Sequence, residues 1–293
     1  MGVHFTDRQL ALVRCRDDDG RVELALSRPV EGADERARVL AELVREHGLE
    51  RRPCVCMLSP GDYQLLQVEA PDVDPAELRA AIRWRIKDLI DYHVDDAVVD
   101  AFAVPESVNR GAVKMMFAVS ARLRRVQELV DTVQGSGLWL QAVDVAELGL
   151  RNIAAQVPEQ AGGVVVLALG ERRGLITVCR DQALYLARGL DFGSEALIDE
   201  GTLRYESLVL ELQRSLDYYE SQLAGVPASR ILVAPMDGPR DRLVEYLNEQ
   251  LGVPAFGLDL HQVVEFDQTP EPAAQAPLLY ALGGALRRER KAL

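Results

Sequence analysis

The opening residues MGVHFTDRQLALVRC read as a strand, a turn and a second strand, the shape with which many phosphate-binding domains begin. Yet the turn lacks the glycines that let backbone N–H groups approach a phosphate, and the acid that such a turn usually places to hold a metal is missing from its position, since Thr6 and Asp7-Arg8 cannot make the same cradle. Metal chemistry finds no other footing. His4, His47, His93 and His261 show no His-x-x-x-His or His–Cys spacing, so no zinc site is expected. Cys54-Val55-Cys56 reads as two same-face positions of a buried strand rather than a metal clip, and four cysteines are too few for a disulfide scaffold.

Composition narrows the function classes further. The 293 residues carry 33 Lys and Arg against 46 Asp and Glu, a formal charge of -13, which repels phosphate backbones and argues against nucleic acid as a partner. Hydrophobic residues make up 48% of the chain but never run unbroken near the roughly 20 positions that span a bilayer. No basic-then-apolar leader opens it. A cytoplasmic protein of two lobes, without direct membrane insertion, is the expectation.

The elements that must position any site fall into a repeated order. Alternating strands over Val3 to Arg14 and Arg21 to Leu26, around the Asp17-Asp18-Asp19-Gly20 turn, lead to a helix over about Asp34 to His47 that Gly48 stops. GVVVLALGERRGLITVCRDQALYLARGL, residues 163 to 190, repeats the theme with three strands, and Cys15-Arg16-Asp17 is echoed by Cys179-Arg180-Asp181. Internal duplication follows, with a first lobe over 1–157, a second over 163–276, a junction near Pro158 to Gly163, and a C-terminal helix over 277–293.

Within the first lobe an extra sheet-and-helix module is expected over about 53–137: strands at Pro53 to Leu58, Tyr63 to Glu69, Ala97 to Val104 and Val113 to Val119, and a helix near Arg122 to Gln134. Its other helix is predicted from Pro75 to Tyr92, with Asp74 as N-cap, Pro75 at the first position and Glu77 three residues after the cap. Leu78, Ile82, Ile86, Leu89 and Ile90 form its apolar stripe. Trp84 lies off the stripe, as satellite packing or as a partner contact. In the second lobe a long helix over Arg204 to Leu223 repeats Leu208, Leu212, Leu216, Tyr219 and Leu223. A short strand at Ile231 to Ala234, a helix over Arg240 to Leu251 and a loop over Thr269 to Pro277 follow. The basic end from Arg287 to Lys291 suits a helix C-terminus.

The stretches ELRAAIRWRIKDLIDY, GLWLQAVDVAELGLRNI, LELQRSLDYYESQ, RILVAPMDG with LVEYLNEQLGVPAF, and YALGGALR occur in the order and at about the spacing of PilM-type type IV pilus assembly proteins, which the chain resembles over nearly its whole length. The resemblance implies an α/β, actin-like fold of two RNase H-like lobes around a cleft, with a small α+β subdomain inserted in the first. It also implies an ATP site made of two phosphate turns and a Gly-rich adenosine turn. At the first turn the family's acid, glycine and lysine fall on His4, Thr6 and Ala11. At the second, Gly170 is kept but Ala168 stands where the family has an acid. The adenosine turn's Ser-Gly-Gly falls on Ala234-Pro235-Met236, removing both close-approach glycines.

Glu211 and Arg214 resemble positions that contact the nucleoside in actin-like ATPases; an ordinary exposed i,i+3 ion pair is the plainer reading. Gly283 and Gly284 either bring the last helix close to the cleft or serve packing alone. The resemblance implies a cytoplasmic adaptor, and the departures at the three turns lead us to expect a non-enzymatic one with a vestigial cleft and no cofactor. Its partner would be the cytoplasmic tail of a PilN-like inner-membrane protein, held in a groove between the first lobe and the insert, with other pilus components beyond it. The alternatives are an ATP-binding protein or ATPase of the same superfamily, for which ATP and magnesium would be cofactors, and a nucleotide-binding scaffold that does not hydrolyse.

Overall fold

A computed structural model of the chain describes residues 1–6, 8–16, 20–108, 111, 113–158, 162–199 and 202–289. Strands β1 (Gly2–Phe5), β2 (Gln9–Cys15) and β3 (Val22–Pro29) form an antiparallel meander. Helix α1 (Gly32–Glu46) then carries the chain to β4 (Pro53–Met57), which pairs parallel with β1 on one side and with β8 (Trp139–Asp144) on the other. The sheet order is β3-β2-β1-β4-β8.

The second lobe repeats this layout element for element. Its meander is β9 (Val164–Leu169), β10 (Gly174–Arg180) and β11 (Ala183–Leu190), and its parallel strands are β12 (Arg230–Val233) and β13 (Ala255–Gly257), in the order β11-β10-β9-β12-β13. The repeat reaches into local irregularities. A register shift separates Arg14 from Cys15 against β3, and another separates Val178 from Cys179 against β11. Bulges at matching positions give the Cys15-Arg16 and Cys179-Arg180 echo a structural basis; Asp17 lies outside the described residues.

The inserted module is smaller than the sequence suggests. β4 is a central strand of the first sheet and not the opening strand of the insert; Cys54, Val55, Cys56 and Met57 are buried on both faces, as a parallel strand covered by helices requires. Helix α3 (Leu123–Gly135) also belongs to the lobe, because Leu129 and Val133 pack with Leu40, Leu43 and Val44 of α1. What remains is a three-stranded antiparallel sheet in the order β5-β7-β6, made of β5 (Tyr63–Glu69), β6 (Ala97–Ala103) and β7 (Met115–Arg122), with α2 (Leu78–Ile86) on one face. A bidentate ion pair ties it to the lobe, Arg125 of α3 reaching Asp62 at 3.0 and 3.1 Å.

Helix α2 is shorter than the predicted Pro75 to Tyr92. Asp74 to Glu77 form a turn held by Glu77 N–H on the Asp74 carbonyl at 2.9 Å, and Glu77 rather than Asp74 is the N-cap, without a side-chain capping bond. Ile82 and Ile86 are fully buried against Val68, Val99 and Ala118. Leu89 lies beyond the helix end, where the turn swings it out of the stripe to 57% exposure. Trp84 is 71% exposed, and the Lys87 ammonium sits 4.9 Å from its ring centre.

In the second lobe α5 (Ser194–Asp199) precedes α6 (Thr202–Tyr218), whose last turn widens into a π-helical turn over Tyr219–Ala224 before Gly225 ends it in the left-handed region. Leu208, Leu212, Tyr219 and Leu223 are buried as their spacing predicts, with α7 (Arg240–Gln250) beside them. The expected loop to Pro277 ends sooner. After α8 (Leu260–Val263), residues 272–274 form a 3-10 turn, and α9 (Gln275–Ala285) starts at Gln275.

A shared core lies between the two sheets. Ala146, Leu150 and Ile153 of α4 (Ala146–Ala154) and Leu278, Leu279 and Leu282 of α9 fill it, with Val13 from one lobe and Val166 and Leu232 from the other. A main-chain bridge also crosses the lobes: Val22 N–H donates to the Glu265 carbonyl at 2.8 Å, and Asp267 N–H to the Val22 carbonyl at 2.9 Å.

The α2 geometry makes two substitutions diverge. Ile82→Ala is expected to destabilise the fold by about 2–5 kcal/mol, as truncation of a fully buried aliphatic does. Leu89→Ala should change it by less than about 0.5 kcal/mol. Urea denaturation of both variants checks the pair; equal losses would mean that Leu89 is packed in solution.

Candidate functional site: the cleft between the lobes

The resemblance places a nucleotide cleft at two hairpin turns, Thr6 to Arg8 in the first lobe and Gly170 to Arg173 in the second, and at the Ala234–Met236 segment after β12; the two turns approach each other across the lobes, where Arg8 meets Glu171. Thr6 organises the first turn. Its Oγ1 accepts from Arg8 N–H at 3.2 Å and from Gln9 N–H at 3.0 Å, while Thr6 N–H donates to the Gln9 carbonyl at 2.8 Å. These are the donors a phosphate-binding turn keeps free, and here the hydroxyl of the turn occupies them. Asp7 lies outside the described residues.

His4 sits beneath this turn. Its Nε2 lies 3.0 Å from Ser59 Oγ, its ring meets Tyr280 edge-on at 5.0 Å, and burial lowers its pKa to about 4, so it is neutral at physiological pH. Ala11 is buried in the shared core.

The second turn is equally self-contained. Gly170 N–H donates to the Arg173 carbonyl at 2.9 Å, and the Gly170 carbonyl accepts from Ser194 N–H at 2.8 Å. Gly193 stacks so closely that a Cβ on it would lie 2.1 Å from that carbonyl oxygen. The close approach requires glycine at 193, while Gly170 offers only its main-chain groups, and Ala168 is buried in the shared core.

Side chains from the turns then cross the cleft. Arg8 Nη1 meets Glu171 Oε1 at 2.6 Å, and Arg173 lies over Gly61 of the first lobe, where a Cβ would come within 3.2 Å of its Nε. In the third segment Ala234 N–H is bonded to the Leu167 carbonyl at 2.8 Å, and buried Pro235 has no N–H to offer.

Glu211 and Arg214 form the expected i,i+3 pair at 2.8 Å, but Glu211 also accepts from Arg188 of β11 at 2.9 Å. Those two guanidinium contacts, Arg188 first, hold the Glu211 carboxyl below its usual value. The site's sequence-predicted residues therefore separate. Thr6 and Gly170 lie at the two turns that the Arg8–Glu171 pair joins and His4 is buried in β1, whereas Glu211 is committed to Arg214 and to Arg188 of an edge strand. Gly283 packs α9 against α4, since its Cβ would lie 2.6 Å from Gly149 Cα.

One cluster escaped the sequence reading. Tyr63 of the insert donates its hydroxyl to Glu147 Oε2 at 2.5 Å and accepts from Ala146 N–H at 3.1 Å. Glu147 is buried on α4, and desolvation raises its pKa from 4.5 to about 7. Tyr280 is half-buried near it and its acidity is weakened by the same cause. The signal was present in the helix pattern, because Glu147 shares the apolar face of Leu150 and Ala154 at i, i+3 and i+7. Among the described residues no three of His, Cys, Asp and Glu converge as metal ligands. Burial also raises the pKa of all four thiols, keeping them in the unreactive form.

Comparison with known proteins accords with this geometry. A family model described as type IV pilus assembly protein PilM matches residues 23–211. Among solved structures the chain is similar to the PilM–PilN type IV pilus biogenesis complex, with a TM-score of 0.77 at 22% identity over 97% of each chain. It is also similar to the cytoplasmic domain of EpsL, an inner-membrane component of the type II secretion system of Vibrio cholerae, with a TM-score of 0.53 at 13% identity over 96% of this chain and 93% of that one. A Bacteroides thetaiotaomicron protein of actin-like ATPase fold and unknown function gives 0.54 at 8% identity, over 89% and 93%. No curated protein sequence matches. These likenesses establish the actin-like fold, two related lobes with a small insert in the first.

The buried Glu147 predicts a pH dependence. Its folded-state pKa of about 7 lies above the 4.5 of an exposed glutamate, so the stability linked to its proton is complete below about 4.5 and is lost as pH rises through about 7. Glu147→Gln keeps an acceptor for Tyr63 and cannot ionise. Its melting temperature should exceed the wild type's at pH 8, by the equivalent of up to about 3 kcal/mol, and the difference should shrink by pH 5. A pH series of thermal melts measures this, and parallel curves would mean that Glu147 is hydrated in solution.

Proposed function

The chain belongs to the PilM family of type IV pilus assembly proteins, whose model covers residues 23–211, and we propose that within that family it is a non-enzymatic adaptor that binds the cytoplasmic tail of a PilN-like inner-membrane protein. The observation that carries this reading is the likeness, along 97% of both chains, to a solved PilM–PilN complex. The tail would lie in the groove between the first lobe and the insert, with the insert bounded near residues 59–122. An extended segment in such a groove bonds through its main chain, and a protein of charge -13 suits a tail rich in the basic residues that flank cytoplasmic ends of membrane helices.

No described helix is long and apolar enough to cross a membrane. The protein acts in the cytoplasm in this reading, recruited to the inner membrane through its partner and in contact with further pilus components but with no nucleic acid. We assign it more narrowly to the branch of MshI, the PilM-like protein of the mannose-sensitive haemagglutinin pilus, because its phosphate and adenosine turns depart from the family pattern at His4, Thr6, Ala168 and Pro235.

The absence of catalysis follows, in this reading, from the state of the turns. The amides of Arg8, Gln9 and Gly170 already have partners, and the Arg8–Glu171 pair bridges the space between the turns. Each lost contact to a charged phosphate costs about 1.5–3 kcal/mol, and every 1.4 kcal/mol or so is tenfold in affinity.

A fluorescent ATP analogue with magnesium should therefore show no binding below millimolar concentration, whereas a synthetic peptide of the cognate PilN-like tail should bind at micromolar concentration. Charge reversal in the groove should weaken the peptide and leave the melting temperature unchanged. Micromolar nucleotide binding would favour an ATP-binding protein or ATPase of the actin-like superfamily; failure of the genuine tail to bind at high micromolar concentration would remove the adaptor reading.

A further inference from the structure

The insert touches both lobes, and its second contact lands on an unusual piece of backbone. Beyond β6 the chain passes through Val104, buried in the shared core, to Ser107 and Val108. There Ser107 Oγ donates to the Gln222 carbonyl, and Val108 N–H donates to the Leu223 carbonyl at 3.2 Å. Both carbonyls belong to the π-helical turn Tyr219–Ala224, at a helix end where intrahelical partners run out. Gly225 follows in the left-handed region at φ 67°, and a Cβ on it would lie 3.4 Å from a Val108 methyl.

The other end of the same turn reaches the linker between the lobes. Tyr219 is fully buried, and its hydroxyl donates to the Gly162 carbonyl at 2.8 Å. Gly163, with φ 86°, makes room for it, since a Cβ there would stand 2.6 Å from the Tyr219 oxygen. The Gly163 carbonyl in turn accepts from Ser229 N–H at 2.9 Å and Ser229 Oγ at 2.6 Å. One turn thus holds the strap from the insert on one side and the inter-lobe linker on the other.

We propose that this π-helical turn is a coupling element, through which a load on the insert strap at Ser107 and Val108 is passed by Tyr219 to the linker at Gly162 and Gly163. A π turn carries about one residue more per loop than an α turn and occurs mostly as a single turn within an α-helix, frequently at functional sites. Relaxing it to α would rotate Tyr219 relative to Leu223 and withdraw its hydroxyl from Gly162. This α-helical register is the second arrangement that the proposed coupling requires. Transmission of tail binding rests on the adaptor reading; the strap and linker contacts do not.

Hydrogen exchange on the full chain tests both parts. Val108→Pro removes the donor N–H, and the milder Ser107→Ala removes only the hydroxyl. Exchange across 219–225 should quicken at least tenfold in the first variant and a few-fold in the second. The Ser229 amide should follow, while the first-lobe strand Pro53–Met57 stays at its wild-type rate. Tyr219→Phe should release Ser229 without loosening the insert strand Met115–Arg122. A strap variant that leaves Ser229 unchanged overturns the proposal, and so does one that raises exchange uniformly along the chain; Ser107→Ala keeps the test open if Val108→Pro does not fold. With a saturating synthetic peptide of the PilN-like tail, exchange at 219–225 should slow in the wild type and not in Val108→Pro. Binding without that change overturns the transmission of tail binding. Absence of peptide binding instead overturns the adaptor reading, and the peptide-free comparison still decides the coupling.

Discussion

The structure depends on a backbone-to-backbone seam that seats the last helix. A Cβ on Gly2 would lie 1.9 Å from the Ala281 carbonyl oxygen, and one on Gly283 would meet the Gly149 backbone at 2.6 Å. Three elements distant in sequence, β1, α4 and α9, therefore approach to a separation that only glycine permits. Asn152 secures the seam by donating from Nδ2 to the Gly283 carbonyl at 2.9 Å. With α9 so placed, Leu278, Leu279 and Leu282 fill the layer between the sheets, and dense packing makes the two lobes share one core.

A shared core leaves the mouth of the cleft to polar contacts, and these are satisfied by the protein itself. Thr6 occupies the amides of its own turn, Gly193 presses on Gly170, and Arg8 crosses to Glu171. The Arg8–Glu171 pair is solvent-exposed, so its own contribution to stability is small and salt-sensitive. The main-chain bridge from Val22 to the 265–267 segment, reinforced by Arg21 on Asp267 at 2.5 Å and on Glu265 at 2.8 Å, links the two lobes directly.

The insert adds the polar interior. Tyr63 places a hydroxyl against Glu147 in the shared layer, and the Asp62–Arg125 pair anchors the strand before it. Burying a carboxyl is costly unless it is bonded or kept protonated. Both conditions act on Glu147, which has the Tyr63 bond and a pKa lifted to about 7. The junction of insert, first lobe and last helix thereby carries a group whose protonation is linked to stability near neutral pH.

Much of this was legible in residue order. Duplication showed in the repeated meanders and even in the Cys15 and Cys179 echo, because strand periodicity and turn residues are local properties. The family resemblance pointed to the two turns at Thr6 and Gly170, which the structure joins through Arg8 and Glu171, and the Glu211–Arg214 pair follows from helical spacing alone. What local pattern could not decide was pairing at long range. Pro53–Met57 and Tyr63–Glu69 are neighbours in sequence, yet the first pairs with β1 and β8 and the second with β7. Likewise Arg8 meets Glu171, Arg188 meets Glu211, and Glu147 finds Tyr63 only after the sheets and the last helix have packed. Sequence periodicity determines which face of an element is apolar, whereas the partner of that face is fixed by close packing of the whole chain, and with it every contact that closes the cleft.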